Sequence, residues 1–314
     1  MNSATEKLTD CLEAAKKLLG DYPRSGFPLT DIAAHSTQEL TLFERCIEFC
    51  NAGIAQETEP VRLIHHLSCT GGTIISRCIA AMPNVVLLSE VNPACEVPHT
   101  SIVRFAPTDM IQLAKQSGIP SFNDLRIKLF RAEIDEVIKH TRNLGSRLVL
   151  RVHSHSDYMT GDISSQPNSV KNSLNGRHAS ICVMTVRHPF DSYLSLVENN
   201  WIHFSPQTLD EYCRRYLAYL EHNQHDPSFK YEDFVHDPKR EINNICKALN
   251  LPFNEDFLDL LELIKLTGDS GRASNKISVR SRIKDDGSLL RSARNSAHYA
   301  KLCAQLDYDL FENS

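Results

Sequence analysis

Residues 61–73 read VRLIHHLSCTGGT. The first seven make a short, largely apolar run, the pattern of a β-strand, and the next six hold hydroxyls, a thiol and two adjacent glycines. From Thr73 onward, TIISRCIAAM carries its apolar residues at helical spacing, so the segment reads strand, glycine turn, helix. In open parallel sheets, ligands gather beyond the carboxyl ends of the strands. A glycine turn feeding a helix lets backbone N–H groups come close to an anion. Ser68, Cys69, Thr70, Gly71, Gly72 and Thr73 are therefore candidate anion-binding residues, although an ordinary tight turn has the same look. A nucleoside triphosphatase or kinase requires G-x-x-x-x-G-K-[ST] at such a place. Here Ile74 and Ile75 follow, and no lysine is available for the terminal phosphates.

Outward from this point, strands and helices alternate. NVVLLSE (84–90), SRLVLRV (146–152) and SICVMTV (180–186) read as further strands, the last apolar enough to be buried on both faces. SFKYED (228–233) reads as a short one. Helices are expected around 107–117, 121–144, 208–223 and 288–303, and from Pro189, where a missing N–H costs nothing. In DPKREINNICKALN (237–250), Asp237 is the expected N-cap and Pro238 the first helical residue. The alternation predicts an α/β fold of three layers, a central, mainly parallel sheet flanked by helices. Residues 5–20 and 38–51 have amphipathic helical patterns. Residues 1–58 are thus expected to form an N-terminal helical cap within the same domain as 59–314.

With 314 residues, 41% hydrophobic and 23% charged, the chain is expected to fold. A net charge of −5 argues against a general nucleic-acid binder, so an anionic ligand must be met by a local cluster of cations. There is no apolar run of transmembrane length and no signal-peptide core, which predicts a cytoplasmic location. The ten cysteines form no CxxC pair and sit in apolar runs, the pattern of reduced, buried thiols.

VRHPFDSYLS (186–195) supplies a second candidate anion site. Arg187 stands at a strand end and offers a planar fork; Ser195 lies eight residues on, about two helical turns into the next helix. Taken alone, a surface arginine and a solvated serine explain the pair equally well. Taken with the glycine turn and the late basic segment GRASNKISVRSR (271–282), the order of motifs resembles the PAPS-dependent sulfotransferases, whose fold is P-loop-like. FKYEDFVHDPKREINNICKALNLPF (229–253) is similar to that family's tyrosine–acid strand and following helix.

The resemblance implies a donor, 3′-phosphoadenosine 5′-phosphosulfate (PAPS), and a product, adenosine 3′,5′-bisphosphate (PAP). It assigns the 5′-phosphosulfate to residues 68–73 and the 3′-phosphate to Arg187 and Ser195. Tyr231 and the late loop at Gly271, Arg272 and Ser274 join the nucleotide site. The acceptor is a hydroxyl or amine on a small molecule or glycan, and no metal is expected. The family usually carries Lys or Arg where this chain has Thr70, so a hydroxyl stands in the cation's place, with Arg77 and Arg151 as alternative cations. Proton removal from the acceptor needs a base near the donor sulfur. Glu90, ending the second strand, and His153, just after the third, are both candidates. His155 joins them if the chain continues extended. A catalytically inactive nucleotide-binding module of the same fold is the alternative that Thr70 motivates.

Overall fold

Every residue of VRLIHH is buried, so this strand must be covered on both faces. The computed structural model describes residues 59–95, 108–163, 167–266, 277 and 287–310, all within one compact unit, Glu57–Ser314. The expected N-terminal cap (1–58) lies outside the described residues, as do Gly271, Arg272 and Ser274.

Five strands build the sheet: β1 (Val61–His66), β2 (Val85–Val91), β3 (Arg147–His153), β4 (Ser180–Val186) and β5 (Ser228–Lys230). They run in the order β2-β3-β1-β4-β5, and every pairing is parallel. Between them lie α1 (Gly72–Ala80), α2 (Met110–Gln116), α3 (Phe122–Asn143), α4 (His155–Tyr158), α5 (Ser169–Leu174), α6 (Pro189–Glu198) and α7 (Leu209–His222). After β5 come α8 (Tyr231–His236), α9 (Pro238–Ala248), α10 (Phe257–Leu260), α11 (Ser288–Arg294) and α12 (Ala297–Leu306).

Side-chain alternation divides the core. Ile64, Val149 and Val183 pack on one face with Ile75 and Ile79 of α1, Phe234 of α8 and Ile242 and Ile245 of α9. Leu63, Leu150 and Val152 meet Phe130, Ile134 and Ile138 of α3 on the other face. Met184 and Val186 continue that second face toward Tyr212 and Tyr216 of α7 and Leu302 of α12. This is the expected three-layer α/β architecture. Burying the Arg62 charge is made possible by full pairing: Nε donates to Leu249 O at 2.6 Å, Nη1 to Pro60 O at 3.0 Å, and Nη2 to Glu59 Oε1 at 2.5 Å. Leu249 O lies at the carboxyl end of α9, where a cation is favoured by the helix dipole.

Local signals account for the element ends. Asp237 accepts from Arg240 N, and Thr208 from Glu211 N, each as an N-cap. Two expectations need correction. The run SFKYED is strand only through Lys230, because Tyr231, Glu232 and Asp233 open α8, where acidic residues suit a helix N-terminus. The helix expected over 288–303 is two helices, because Ser296 Oγ accepts from Tyr299 N at 3.0 Å and caps a new start. The condition that would give His155 the parity of the strand is not met, because the strand stops at His153 and His155 begins α4.

Candidate active site

The strand order turns at β1. The chain leaves it toward β2 and β3 on one side and later returns to β4 and β5 on the other. Such a switch point opens a crevice at the carboxyl ends of the two central strands. The glycine turn follows β1 and Arg187 follows β4, so the two candidate anion sites flank this crevice.

The turn is tight. Cys69 (φ 67°) and Gly71 (φ 82°) both adopt left-handed backbone, and Gly71 is the N-cap of α1. The glycines answer to neighbouring rings: a Cβ on Gly71 would overlap Tyr231, and one on Gly72 would overlap His66. The first N–H groups of α1 have no carbonyl partner within the helix and carry its positive dipole end.

Arg187 reaches back across the crevice. Its Nη1 donates to Cys69 O at 3.0 Å and to Ser195 Oγ at 3.4 Å, and its guanidinium stacks 5.0 Å from the Tyr231 ring centroid. The structure therefore brings Arg187, Ser195 and Tyr231 to the 69–71 turn. The strand end is pinned from beneath: Arg187 N donates to Tyr216 OH at 3.1 Å, and His188 N donates to Glu232 Oε1 at 3.0 Å.

Thr70 is a correction. Its side chain is fully buried, and its hydroxyl donates to Leu67 O at 2.8 Å beside Thr185 Oγ1 at 3.4 Å. Its N–H also goes to Leu67 O, at 3.3 Å. The residue closes the turn from inside and offers no donor to a ligand. Arg77, one of the two alternative cations, donates to Ile264 O at 3.2 Å and to Leu261 O, bracing the segment after α10.

Of these two, Arg151 is the one that reaches the start of α1. Its Nη2 donates to Thr73 Oγ1 at 2.7 Å, and its Nη1 to Ser89 Oγ at 2.9 Å. His66 Nε2 accepts from Nη2 at 2.9 Å, and Glu90 Oε1 lies 2.7 Å from Nη2. The other oxygen, Glu90 Oε2, lies 3.4 Å from His153 Nε2. Register explains the grouping: Ile64 pairs with Arg151 and His66 with His153, so His66, Arg151 and His153 share one face.

Glu90 arrives there by a distortion. The β2–β3 register slips between Leu88 and Val91, so Ser89 and Glu90 together oppose Arg151. The slip is a bulge with Glu90 at φ 61°. Burial raises the Glu90 carboxyl from its ordinary value, and the Arg151 charge opposes that rise. His66 is held neutral, pushed well below the usual imidazole value by burial and then by Arg151.

His155 is a second correction. It is buried, its ring centroid 6.2 Å from that of His153, and burial takes it down to about 3. An imidazole so hard to protonate is a poor general base. Asn92 went unremarked in the sequence, yet it organises the surroundings: Nδ2 donates to His153 O at 3.1 Å, Ser156 Oγ at 2.8 Å and Asp157 Oδ1 at 2.9 Å. Cys95 Sγ sits 3.5 Å from His153 Nδ1, so that ring is bracketed by a carboxylate and a thiol. Strand parity would have found His66; the loop residues Asn92 and Cys95 carried no signal.

Residues 178–255, from just before β4 to beyond the end of α9, match the model of the sulfotransferase family. That segment, a quarter of the chain, is similar to the sulfotransferase family. It contains Arg187, Ser195 and Tyr231. Among solved structures, a mouse sulfotransferase complexed with PAP aligns at 13% identity and TM-score 0.41, over 78% of this chain and 89% of that one. A sulfotransferase from Alicyclobacillus acidocaldarius aligns at 14% identity and TM-score 0.41, over 80% and 96%. Retinol dehydratase in a complex with retinol and PAP aligns at 11% identity and TM-score 0.35, over 85% and 87%. No curated protein sequence matches the chain. Among the described residues, no helix is long and apolar enough to cross a membrane, and Cys78, Cys182, Cys213, Cys246 and Cys303 are buried, free thiols.

Proposed function

We propose that the chain transfers the sulfuryl group of PAPS to a hydroxyl or amine acceptor and releases PAP. The observation that carries this reading is the convergence of Arg187 on Cys69 O at 3.0 Å and Ser195 Oγ at 3.4 Å, which joins two anion sites across one crevice. In this reading Arg187 and Ser195 hold the 3′-phosphate. The backbone at Gly72 and Thr73 meets the 5′-phosphosulfate, and Tyr231 buttresses Arg187. Gly271, Arg272 and Ser274 belong to the loop that covers the nucleotide.

Transfer forms a bond from the acceptor oxygen or nitrogen to sulfur and breaks the bond from sulfur to the 5′-phosphate oxygen. Charge accumulates on the departing phosphate. Arg151, standing with Thr73 at the start of α1, is the group suited to stabilise it and takes the place of the lysine the family usually carries in the turn. The acceptor proton goes to Glu90, with His153 alongside to steady the carboxylate. Burial raises the proton affinity of Glu90, against the pull of Arg151, and a raised affinity suits a base. The acceptor is a small molecule or glycan, and the reduced thiols fit a cytoplasmic setting.

The test is turnover. Purified protein is incubated with PAPS and a panel of hydroxyl and amine acceptors, and PAP release is followed. Acceptor-dependent PAP is expected, and Glu90→Gln lowers it about a hundredfold or more while the protein stays folded. Tight PAP binding with no turnover on any acceptor would identify a binding module instead.

A further inference from the structure

On the sheet face opposite His66 and Arg151, a second cluster of chemically capable groups lies outside the transfer site. Cys182 pairs across the sheet with Leu63, and His65, two residues further along β1, shares that face. Asp226 is delivered by the connection between α7 and β5, fixed there because Pro227 O accepts from Met184 N at 2.8 Å. One ligand atom from each of His65, Cys182 and Asp226 lies within 4.8 Å of the other two.

His65 is the telling member. It is fully buried, its Nδ1 is 3.3 Å from Ser154 Oγ, and its Nε2 is buried with no hydrogen-bond partner. A buried imidazole nitrogen without a partner is costly. The arrangement is that of a metal-ligating histidine whose other nitrogen is held by an outer group, here a serine.

We propose that His65, Cys182 and Asp226 form a site for a zinc-class divalent ion, separate from the transfer chemistry. Imidazole, thiolate and carboxylate together suit Zn²⁺ and leave a fourth position for water. Ligands at about 2.0–2.3 Å from a tetrahedral ion stand about 3.5 Å apart, so the cluster must contract by about 1 Å.

Lys171 now holds the cation's place, with Nζ 3.2 Å from Asp226 Oδ1 and 3.0 Å from Oδ2. Its side chain is 35% exposed and has a route to water. Loading is thus an exchange: the thiol proton leaves, the ammonium swings out, and the divalent ion balances one thiolate and one carboxylate. The bound ion ties β1, β4 and the α7–β5 connection together.

The full chain, stripped with chelator, is titrated with Co²⁺ and then Zn²⁺. A thiolate-to-cobalt charge-transfer band is expected, displaced by Zn²⁺ and lost in Cys182→Ser. Ser154→Ala weakens binding about 10- to 100-fold by freeing the imidazole. Lys171→Met tightens it about tenfold or more by removing the competing ammonium. Absence of the band in both wild type and Lys171→Met overturns the proposal. So does a band that survives Cys182→Ser or, where that variant fails to fold, Asp226→Asn. None of these readings depends on sulfuryl transfer.

Discussion

Replacing Arg187 by alanine removes one guanidinium that touches the 69–71 turn, the Ser195 hydroxyl and the Tyr231 ring. If that guanidinium grips a 3′-phosphate, the loss is one charge-assisted contact, about 1.5–3 kcal/mol. At 1.4 kcal/mol per tenfold, affinity for PAP should fall about 10- to 150-fold. Binding of 5′-AMP, which lacks the 3′-phosphate, should change by less than about threefold, a few tenths of that energy. Isothermal titration with both nucleotides measures the two numbers on one preparation. The stacking on Tyr231 is worth about 0.5–1 kcal/mol, so the variant should melt only a few degrees lower and remain folded at the assay temperature. Arg187→Lys keeps the charge but not the planar fork and should recover only part of the loss. Equal losses for the two nucleotides, or none for PAP, would refute the two-site reasoning.

Thr70→Val removes a buried donor to Leu67 O and should cost about 1 kcal/mol in urea denaturation. Turnover should stay within about twofold, and a hundredfold loss would return Thr70 to the chemistry. Arg151→Met leaves the Glu90 carboxylate buried without its cation, a loss of about 3–5 kcal/mol. Adding Glu90→Gln should recover much of that stability while turnover stays absent, as denaturation and PAP-release assays on the double variant will show. His155 is neutral when folded, with its imidazole lowered to about 3, whereas the unfolded chain protonates near the ordinary value of 6.5. Stability from this group is therefore complete above about 6.5 and declines as pH falls toward 3. The share of this group in the decline between pH 7 and 5 should be about 2 kcal/mol, and His155→Gln should remove that share from the total read by urea denaturation, the rest coming from buried His65 and His66.

The centre of the sheet was legible because its strands β1, β3 and β4 are largely buried on both faces. SICVMTV has little polar interruption, VRLIHH carries Arg62, His65 and His66 but keeps an apolar centre, and both observed strands end within a residue or so of the expected runs. The cap at Asp237 was legible for a local reason: a side-chain oxygen satisfying an orphan N–H needs no tertiary context. The convergence of Arg187 and Ser195 on the glycine turn followed from order along the chain and the geometry of parallel sheets. What escaped was set by tertiary context. Thr70 faces inward because the turn tucks its side chain under Leu67. Tyr231 begins a helix although its neighbours read as strand, and its ring then fills the space beside Gly71. Choosing Arg151 over Arg77 required knowing which side chain the α10 segment occupies.

The extra residue in β2 has a consequence for how the proposed activity can be lost. Because Ser89 and Glu90 share one opposing partner, the aim of the carboxylate depends on how many residues lie between Leu88 and Val91. Deleting Ser89 would let the ladder close without a hitch, with every remaining side chain chemically intact. It would do so by straightening the one turn of backbone that points Glu90 at its neighbours. In a lineage, silence could therefore come from arithmetic alone, with no change to any residue that a motif search would inspect.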